Sequence, residues 1–322
     1  MALVPQIEAM TQKYFDRKIT SQVVFSDPLF FKIFSRSKSR SLSGRKYVWE
    51  PRFGRKTTHW IGRYAVIPRA PVEHVTEAQV NVVRNVTSAV LDKFDINENS
   101  GRERIIDMVA TELEVLKDDA IYNNAYELWN GDGSANKFEG VNKAVNVTAE
   151  QTYANIAYAD ASWWDNARVD GAGAAVTLTL LEQAKLAGEH GRNKIDLWVT
   201  SKQGYRRLYT VAVTAQQLTT PTTKAGKQLA ALGFGAIEVD GVPVVWSDFA
   251  LSGDVAVESV RYYGFTTKDI ELRYVKGYKM KREPWKELES QPVLVTDMFN
   301  HCALAFKTRR NHTLLYDCLG DA

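Results

Sequence analysis

Ser100-Gly-Arg-Glu-Arg-Ile-Ile-Asp-Met-Val-Ala-Thr-Glu-Leu-Glu-Val-Leu-Lys-Asp-Asp-Ala-Ile-Tyr-Asn-Asn-Ala-Tyr-Glu-Leu-Trp129, closed by Asn130-Gly-Asp-Gly133, sets the scale of the fold. Ser100-Gly-Arg-Glu103 has the form of a capping box. The serine oxygen accepts from the third helical N–H while the glutamate reaches back. Ile105, Val109, Leu113, Leu116, Ala120 and Leu128 follow at near-helical spacing, and the Gly-Asp-Gly turn stops the helix. About 30 residues at 1.5 Å each give a rod of roughly 45 Å, long for a globular domain and suited to a spine.

N-terminal to this helix, Ala78 to Ile96 alternates through Val80, Val82, Val86, Val90, Phe94 and Ile96, which predicts one long strand. Before it, Arg45-Lys-Tyr-Val-Trp-Glu-Pro-Arg-Phe53 and Thr57-Thr-His-Trp-Ile-Gly-Arg-Tyr-Ala-Val-Ile67 are rich in aromatic and β-branched residues. Gly54-Arg-Lys56 between them has a length suited to a hairpin. Such a hairpin has little core of its own, so Trp49, Phe53 and Trp60 are expected to rest on another surface, and another subunit could supply it. The first 40 residues read as an arm. Phe25-Ser-Asp-Pro-Leu-Phe-Phe-Lys-Ile-Phe34 sets six large apolar side chains in a loop-like context, to be buried either as a packed turn of its own domain or against a neighbour. Ser35 to Gly44 is polar, basic and low in complexity.

C-terminal to the long helix, a second compact region begins near Val145. Thr179-Leu-Leu-Glu182 reads as another capping box, with its helix running to Gly191. Asp196-Leu-Trp-Val-Thr200 reads as a buried strand and Ser201 to Tyr209 as a helix, an α/β alternation. Gly235 to Val239 and Val242 to Trp246 flank Asp240-Gly241, which supplies the two positive φ angles of a primed hairpin turn. Short strands are expected at Arg261 to Phe265, Ile270 to Val275, Val293 to Thr296 and His301 to Thr308. The fold class is α+β.

The composition, 45% hydrophobic and 25% charged over 322 residues, is that of an ordinary folded protein and excludes collagen, coiled coil and global disorder. No segment reaches the roughly 20 apolar residues of a membrane span, and Met1-Ala-Leu-Val-Pro-Gln6 lacks the regions of a signal peptide, so folding in a cytoplasm is expected. Net charge is only +3, but between Lys32 and Arg63 ten Lys or Arg face one acid, Glu50. Such a run marks a surface for phosphates or for acidic patches on a partner. Cys302 and Cys318 are too few for a disulfide framework and lack metal-ligand spacing. The five histidines form no ligand motif, and His190 is expected at a helix C-terminus, where a cation favours the dipole. Gly171-Ala-Gly-Ala-Ala-Val176 lacks the later glycine and lysine of a phosphate loop. Asn130 to Asn136 puts Ala135 where a calcium loop needs glycine. Asp118-Asp119 and Trp163-Trp164 are adjacent pairs with bland readings, solvated acids and core or interface aromatics. No enzyme mechanism, cofactor or metal is indicated.

The order of these elements resembles the tailed-bacteriophage major capsid proteins of the HK97-like fold. The likeness runs from basic arm through aromatic hairpin, long strand, capped helix, Gly-Asp-Gly turn and α/β region to the closing strands. Ser43 to Ile67 is similar to the family's E-loop, and Ser100 to Trp129 to its spine helix. Asn130 to Ser134 with Phe138-Glu-Gly-Val141 is similar to the link to the axial domain. Trp163-Trp164, Asp196 to Thr200 and Leu232-Gly-Phe-Gly235 through Val245 resemble landmarks of that domain, and Phe299 to Arg310 resembles the final strands. The resemblance implies an arm (1–42), an E-loop hairpin (43–76), a peripheral domain with the spine helix (77–144), an axial domain (145–254) and a return to the peripheral domain (255–322). It also implies a non-enzymatic subunit that forms hexamers and pentamers of an icosahedral head around double-stranded DNA, assembled in a bacterial cytoplasm. Portal, scaffolding and decoration proteins are the implied further partners, and no membrane is. Some members cross-link through an E-loop lysine; Lys46 and Lys56 lie in that region, but no matching asparagine is found.

Inter-subunit contacts are expected from Phe30, Phe31, Phe34, Arg36, Lys38, Arg40, Arg45, Lys46, Trp49, Arg52, Phe53, Arg55, Lys56 and Trp60. Two other readings remain: an encapsulin-like nanocompartment shell, and a sequence-independent nucleic-acid-binding protein led by the basic run.

Overall fold

The computed structural model describes residues 27–36, 42, 44–64, 66–67, 73–98, 108–134, 136–148, 151–214, 237–251 and 259–319. The first described element is a helix, α1 (Pro28–Arg36), where the sequence reading expected a loop. Asp27 caps it: the Phe30 amide donates to Asp27 Oδ2 at 2.7 Å. Pro28 takes the first helical position, where its missing N–H costs nothing. The turn spacing then sends Leu29, Phe30 and Ile33 to one side, into the chain's own core.

The expected hairpin between residues 45–53 and 57–67 is not formed. Strand β1 (Lys46–Trp49) instead pairs antiparallel with β2 (Ala78–Asn81), in the register Lys46↔Asn81 to Trp49↔Ala78. This register sets Tyr47 beside Val80, and both are buried. Outward from the ladder, the Phe53 amide donates to His74 O at 3.0 Å and Thr76 to Pro51 O at 3.2 Å. The two arms are therefore zipped at their root, and the described residues among 55–67 continue beyond it without a strand. The physical difference lies in the partner: Ala78 and Val80 offer a covered apolar face, which 57–67 lacks.

The long strand expected from Ala78 to Ile96 is interrupted at Val82, whose amide donates to Arg45 O at 2.9 Å. It resumes as β3 (Val83–Asp92) and ends where Asp92 Oδ1 accepts from the Phe94 amide at 2.9 Å, opening the short helix α2 (Lys93–Glu98). Within β3, Val83, Ala89 and Leu91 face inward while Arg84, Val86, Ser88 and Val90 face out, the alternation of a half-covered strand. Helix α3 (Met108–Asn130) crosses the inner face; its 23 residues span about 35 Å. The capping box at Ser100 lies outside the described residues. Leu116 and Ala120 of α3 pack with Ala89 and Met298, and Ala125, Leu128 and Trp129 enter the main core. Trp129 meets Tyr263 and Phe265 edge-on, with centroids 5.4 and 6.0 Å apart.

After α3 the chain reverses tightly. Gly140 donates to Gly131 O at 2.9 Å. A Cβ at Gly131 would lie 2.4 Å from Phe138 O, so only glycine permits this approach. Asp132 Oδ1 accepts from the Ser134 amide and hydroxyl, which hold its carboxyl below the ordinary range. A tight turn is what the sequence indicated here. The turn leads into the short helix α4 (Val141–Ala144).

The next strands are β4 (Ala167–Asp170), β5 (Leu197–Thr200), β6 (Ile237–Val239), β7 (Val242–Trp246), β8 (Ser259–Phe265), β9 (Ile270–Tyr274), β10 (Lys281–Arg282) and β11 (Lys286–Glu287). The last two are β12 (Val293–Phe306) and β13 (Thr313–Leu319). One sheet runs β4-β13-β8-β5-β7-β6. Helices α5 (Leu178–Gly188) and α6 (Lys202–Thr214) pack on one face of it, and the main core on the other, so β5 is buried at all four residues. Asp240 and Gly241 have φ of 49° and 73°, the primed turn the sequence called for. The cap of α5 is Thr177, whose side chain accepts from the Leu180 amide, two residues before the expected Thr179. The two strands expected at Val293–Thr296 and His301–Thr308 are one, β12. Its polar middle fits because Asn300 is buried and donates to Asn124 Oδ1 of α3 at 2.9 Å, while Ser88 donates to Asp297 at 2.5 Å. Strand β12 pairs with β3 along one edge and with β11, β10 and β9 along the other.

One buried cation ties the lower half together. Arg309, 1% exposed, donates to Ala144 O (2.8 Å), Gln151 O (3.3 Å) and Trp164 O (3.0 Å). It also lies 3.6 Å from Asp165 Oδ1 and faces the Tyr153 ring. Burial lowers its pKa against the pull of Asp165.

Candidate interaction surface

The root of the 46–76 excursion is fastened to its own chain. Tyr47 donates to Glu271 Oε2 at 3.2 Å and lies under the Arg273 guanidinium. Glu271 sits below its ordinary range: burial pushes it up, but hydrogen bonds from Lys307 and Arg273 outweigh that. Trp49 stacks on Tyr47 and donates its indole N–H to Lys307 O at 3.3 Å. Phe53 stacks on Trp163, centroids 5.0 Å apart, which accounts for the first tryptophan of the adjacent pair. Trp164 is buried and donates to Tyr153 O.

Beyond Phe53 the excursion leaves the body. Trp60 is 98% exposed, Tyr64 95% and Val66 90%, with Ile61 and Ile67 about half exposed. A cluster of large apolar side chains in water is costly to leave bare and marks a contact surface. Arg45, Lys46, Arg52, Arg55 and Lys56 flank it, all exposed. Lys46 reaches Gln79 Oε1 at 3.1 Å and Arg52 reaches Gly54 O at 3.1 Å.

Of the residues expected to meet a neighbour, Arg55, Lys56 and Trp60 are placed on the projecting segment, and Arg45, Lys46 and Arg52 at its root. Phe30 is a correction: it is 4% exposed, and the cover sought from a neighbouring subunit comes from its own chain. Phe34 stacks on Phe30 and meets Tyr274 edge-on, partly buried, with the Lys279 ammonium 4.3 Å from its ring. Phe31 is half-buried, and Trp49 packs against the core at the root. The Arg36 side chain, and Lys38 and Arg40 entirely, lie outside the described residues. Tyr64 and Val66 were not singled out from the sequence; the β-like run Thr57 to Ile67 that contains them was the available signal.

Among the described residues no group of three or more His, Cys, Asp or Glu could hold a metal ion, and no helix is long and apolar enough to cross a membrane. Cys302 and Cys318 are buried thiols, pushed up to about 12 and about 11 by burial, hence protonated and inert. His190 departs from its expected role. It lies past the end of α5, and burial together with the Arg310 guanidinium, which donates to its Nε2 at 3.0 Å, lowers its pKa.

No protein-family model matches the chain, and no curated protein matches it in sequence. Solved structures match over its whole length. The capsid of cyanophage A-1(L) superposes with a TM-score of 0.67 at 15% identity, covering 96% of this chain and 98% of that one. The chain has the HK97-like capsid fold. The capsid of a native GTA particle gives a TM-score of 0.66 at 10% identity, covering 99% of both chains. The SrpI encapsulin of Synechococcus elongatus gives 0.62 at 10% identity, covering 98% of this chain and 95% of that one. At these identities the capsid fold is carried by patterning and packing, with few residues in common.

Proposed function

We propose that this chain is the major capsid protein of a tailed bacteriophage, a subunit without enzymatic activity that closes hexamers and pentamers into an icosahedral shell around double-stranded DNA. The observation that carries the reading is the full-length match to capsid subunits joined to a projecting, almost wholly exposed apolar tip at Trp60, Tyr64 and Val66. In this reading residues 43–76 are the E-loop and α3 is the spine helix. Residues 1–42 form an arm, 77–144 and 255–322 the peripheral domain, and 145–254 the axial domain. The E-loop drapes its tip over the adjacent copy, and Arg45, Lys46, Arg52, Arg55 and Lys56 pair with that copy's acids. Assembly takes place in the host cytoplasm and the product is the virion capsid, with portal, scaffolding and decoration proteins as further partners.

Expression of the full chain should yield megadalton shells by sedimentation and negative-stain electron microscopy. Monomers or dimers at every concentration would overturn the reading. The encapsulin match favours one alternative, a nanocompartment shell. Particles from the natural host separate the two, since a phage head holds DNA and a nanocompartment holds protein cargo.

A further inference from the structure

Behind the root of the excursion lies a cleft of about 730 Å³. Four parts of the chain meet there: Arg45 at the start of β1, Asn81 to Arg84 at the β2–β3 junction, Gly133, Asn136 and Lys137 after the long helix, and Tyr278 with His301 beside β9. The groups they bring are of one kind. Arg45 and Arg84 contribute guanidinium forks, Lys137 an ammonium, Asn81 an amide and Tyr278 a phenol, all able to donate hydrogen bonds. Among the described residues no Asp or Glu lines the cleft; Glu127, 4.0 Å from Lys137, and Asp132, which Lys137 also acts on, lie outside its wall and offset part of that ammonium's charge.

This arrangement has an electrostatic consequence. Three cations gathered around one concavity repel one another, and low-dielectric walls focus their field into it. His301 contributes an aromatic ring to the wall. Its ring stacks on Tyr278 at 4.4 Å, 7° from parallel, and burial together with Arg84 lowers its pKa. The cleft therefore presents donors and positive potential with an aromatic floor. Its volume falls within the range of small-ligand sites and exceeds what one carboxylate would occupy. Guanidinium forks match phosphate oxygens two at a time, which no apolar or cationic ligand would use.

We propose that this cleft is a binding site for a multiply charged phosphate, either a free polyphosphate or the backbone of a nucleic-acid strand. The site lies within a single chain and shares only Arg45 with the assembly reading, so its test uses Arg84 and Lys137, which that reading does not involve. The test is isothermal titration of the full-length protein at low salt with inorganic tripolyphosphate and, separately, with a single-stranded decanucleotide. The same titrations are run on an Arg84→Gln/Lys137→Gln variant and on an Arg282→Gln control. The substituted residues are all exposed, and thermal melting confirms that each variant folds.

Saturable binding should weaken about a hundredfold in the double variant, on the order of tenfold per charge-assisted contact, and stay unchanged in the control. Loss of tripolyphosphate binding identifies free polyphosphate as the source. Loss of decanucleotide binding alone identifies a nucleic-acid backbone. Binding of neither ligand, or equal binding by the double variant, overturns the proposal.

Discussion

Replacing Trp60 by alanine separates folding from assembly. The side chain is 98% exposed, so its removal takes almost nothing from the chain's own packing, and the unassembled subunit should melt within about 0.5 kcal/mol of the parent. Contact between subunits is another matter. A buried tryptophan covers about 150–250 Å², which at about 25 cal/mol per Å² is worth about 4–6 kcal/mol. Fixing the side chain at the interface costs about 1 kcal/mol, which leaves about 3–5 kcal/mol per contact. Even the lower figure corresponds to more than a hundredfold in association constant. The protein concentration at which shells first appear should rise by at least about two orders of magnitude, followed by sedimentation velocity with negative-stain images of each fraction. Shells at the parental threshold would refute the assignment of the tip to an inter-subunit contact. A lowered melting temperature of the free subunit would refute it differently, by showing that Trp60 packs on its own chain.

Asp27→Asn tests the anchoring of α1. Burial raises the Asp27 carboxyl from 3.8 to about 6, so the native state favours its protonated form; that stabilisation is complete below about pH 4 and lost as pH rises through 6. Asparagine keeps a capping oxygen and stays neutral, so by urea denaturation of the unassembled subunit its advantage should grow to about 3 kcal/mol by pH 8; an advantage that does not change with pH contradicts the account. Arg309→Leu should cost about 3 kcal/mol in the same assay, because it leaves the carbonyls of Ala144, Gln151 and Trp164 without their donor while Asp165 keeps its ion pair with Arg168; a loss below about 1 kcal/mol would show that these carbonyls find water instead.

Local signals were legible where one short stretch decides the outcome. Asp240-Gly241 has one good backbone solution, and the apolar spacing of residues 109–128 ends at a glycine turn that admits no Cβ at Gly131. What failed was pairing at a distance. The composition of Lys46 to Trp49 says strand, yet nothing in it says that the partner is Ala78 to Asn81 and not the nearer run after Gly54. The same limit hid Phe30, since a loop and a capped helix share its sequence and only the main core decides which is buried. Strands were expected at Val293–Thr296 and His301–Thr308 with a gap between them; Asn124, far away in sequence, is what satisfies Asn300 and lets the strand run through. At the candidate surface, the charge run and Trp60 were readable as exposed equipment. The cleft was not, because Arg45, Arg84, Lys137 and His301 come from four separate stretches.

Strand β12 is continuous over 14 residues, and ten of them, Val293 to Cys302, run side by side with β3. Antiparallel ladder bonds lie perpendicular to the strands, so a tug along that axis strains the whole ladder at once instead of peeling it pair by pair. The strand that the sequence reading split in two is thus one continuous length, and a pull along it loads its ten pairs with β3 together.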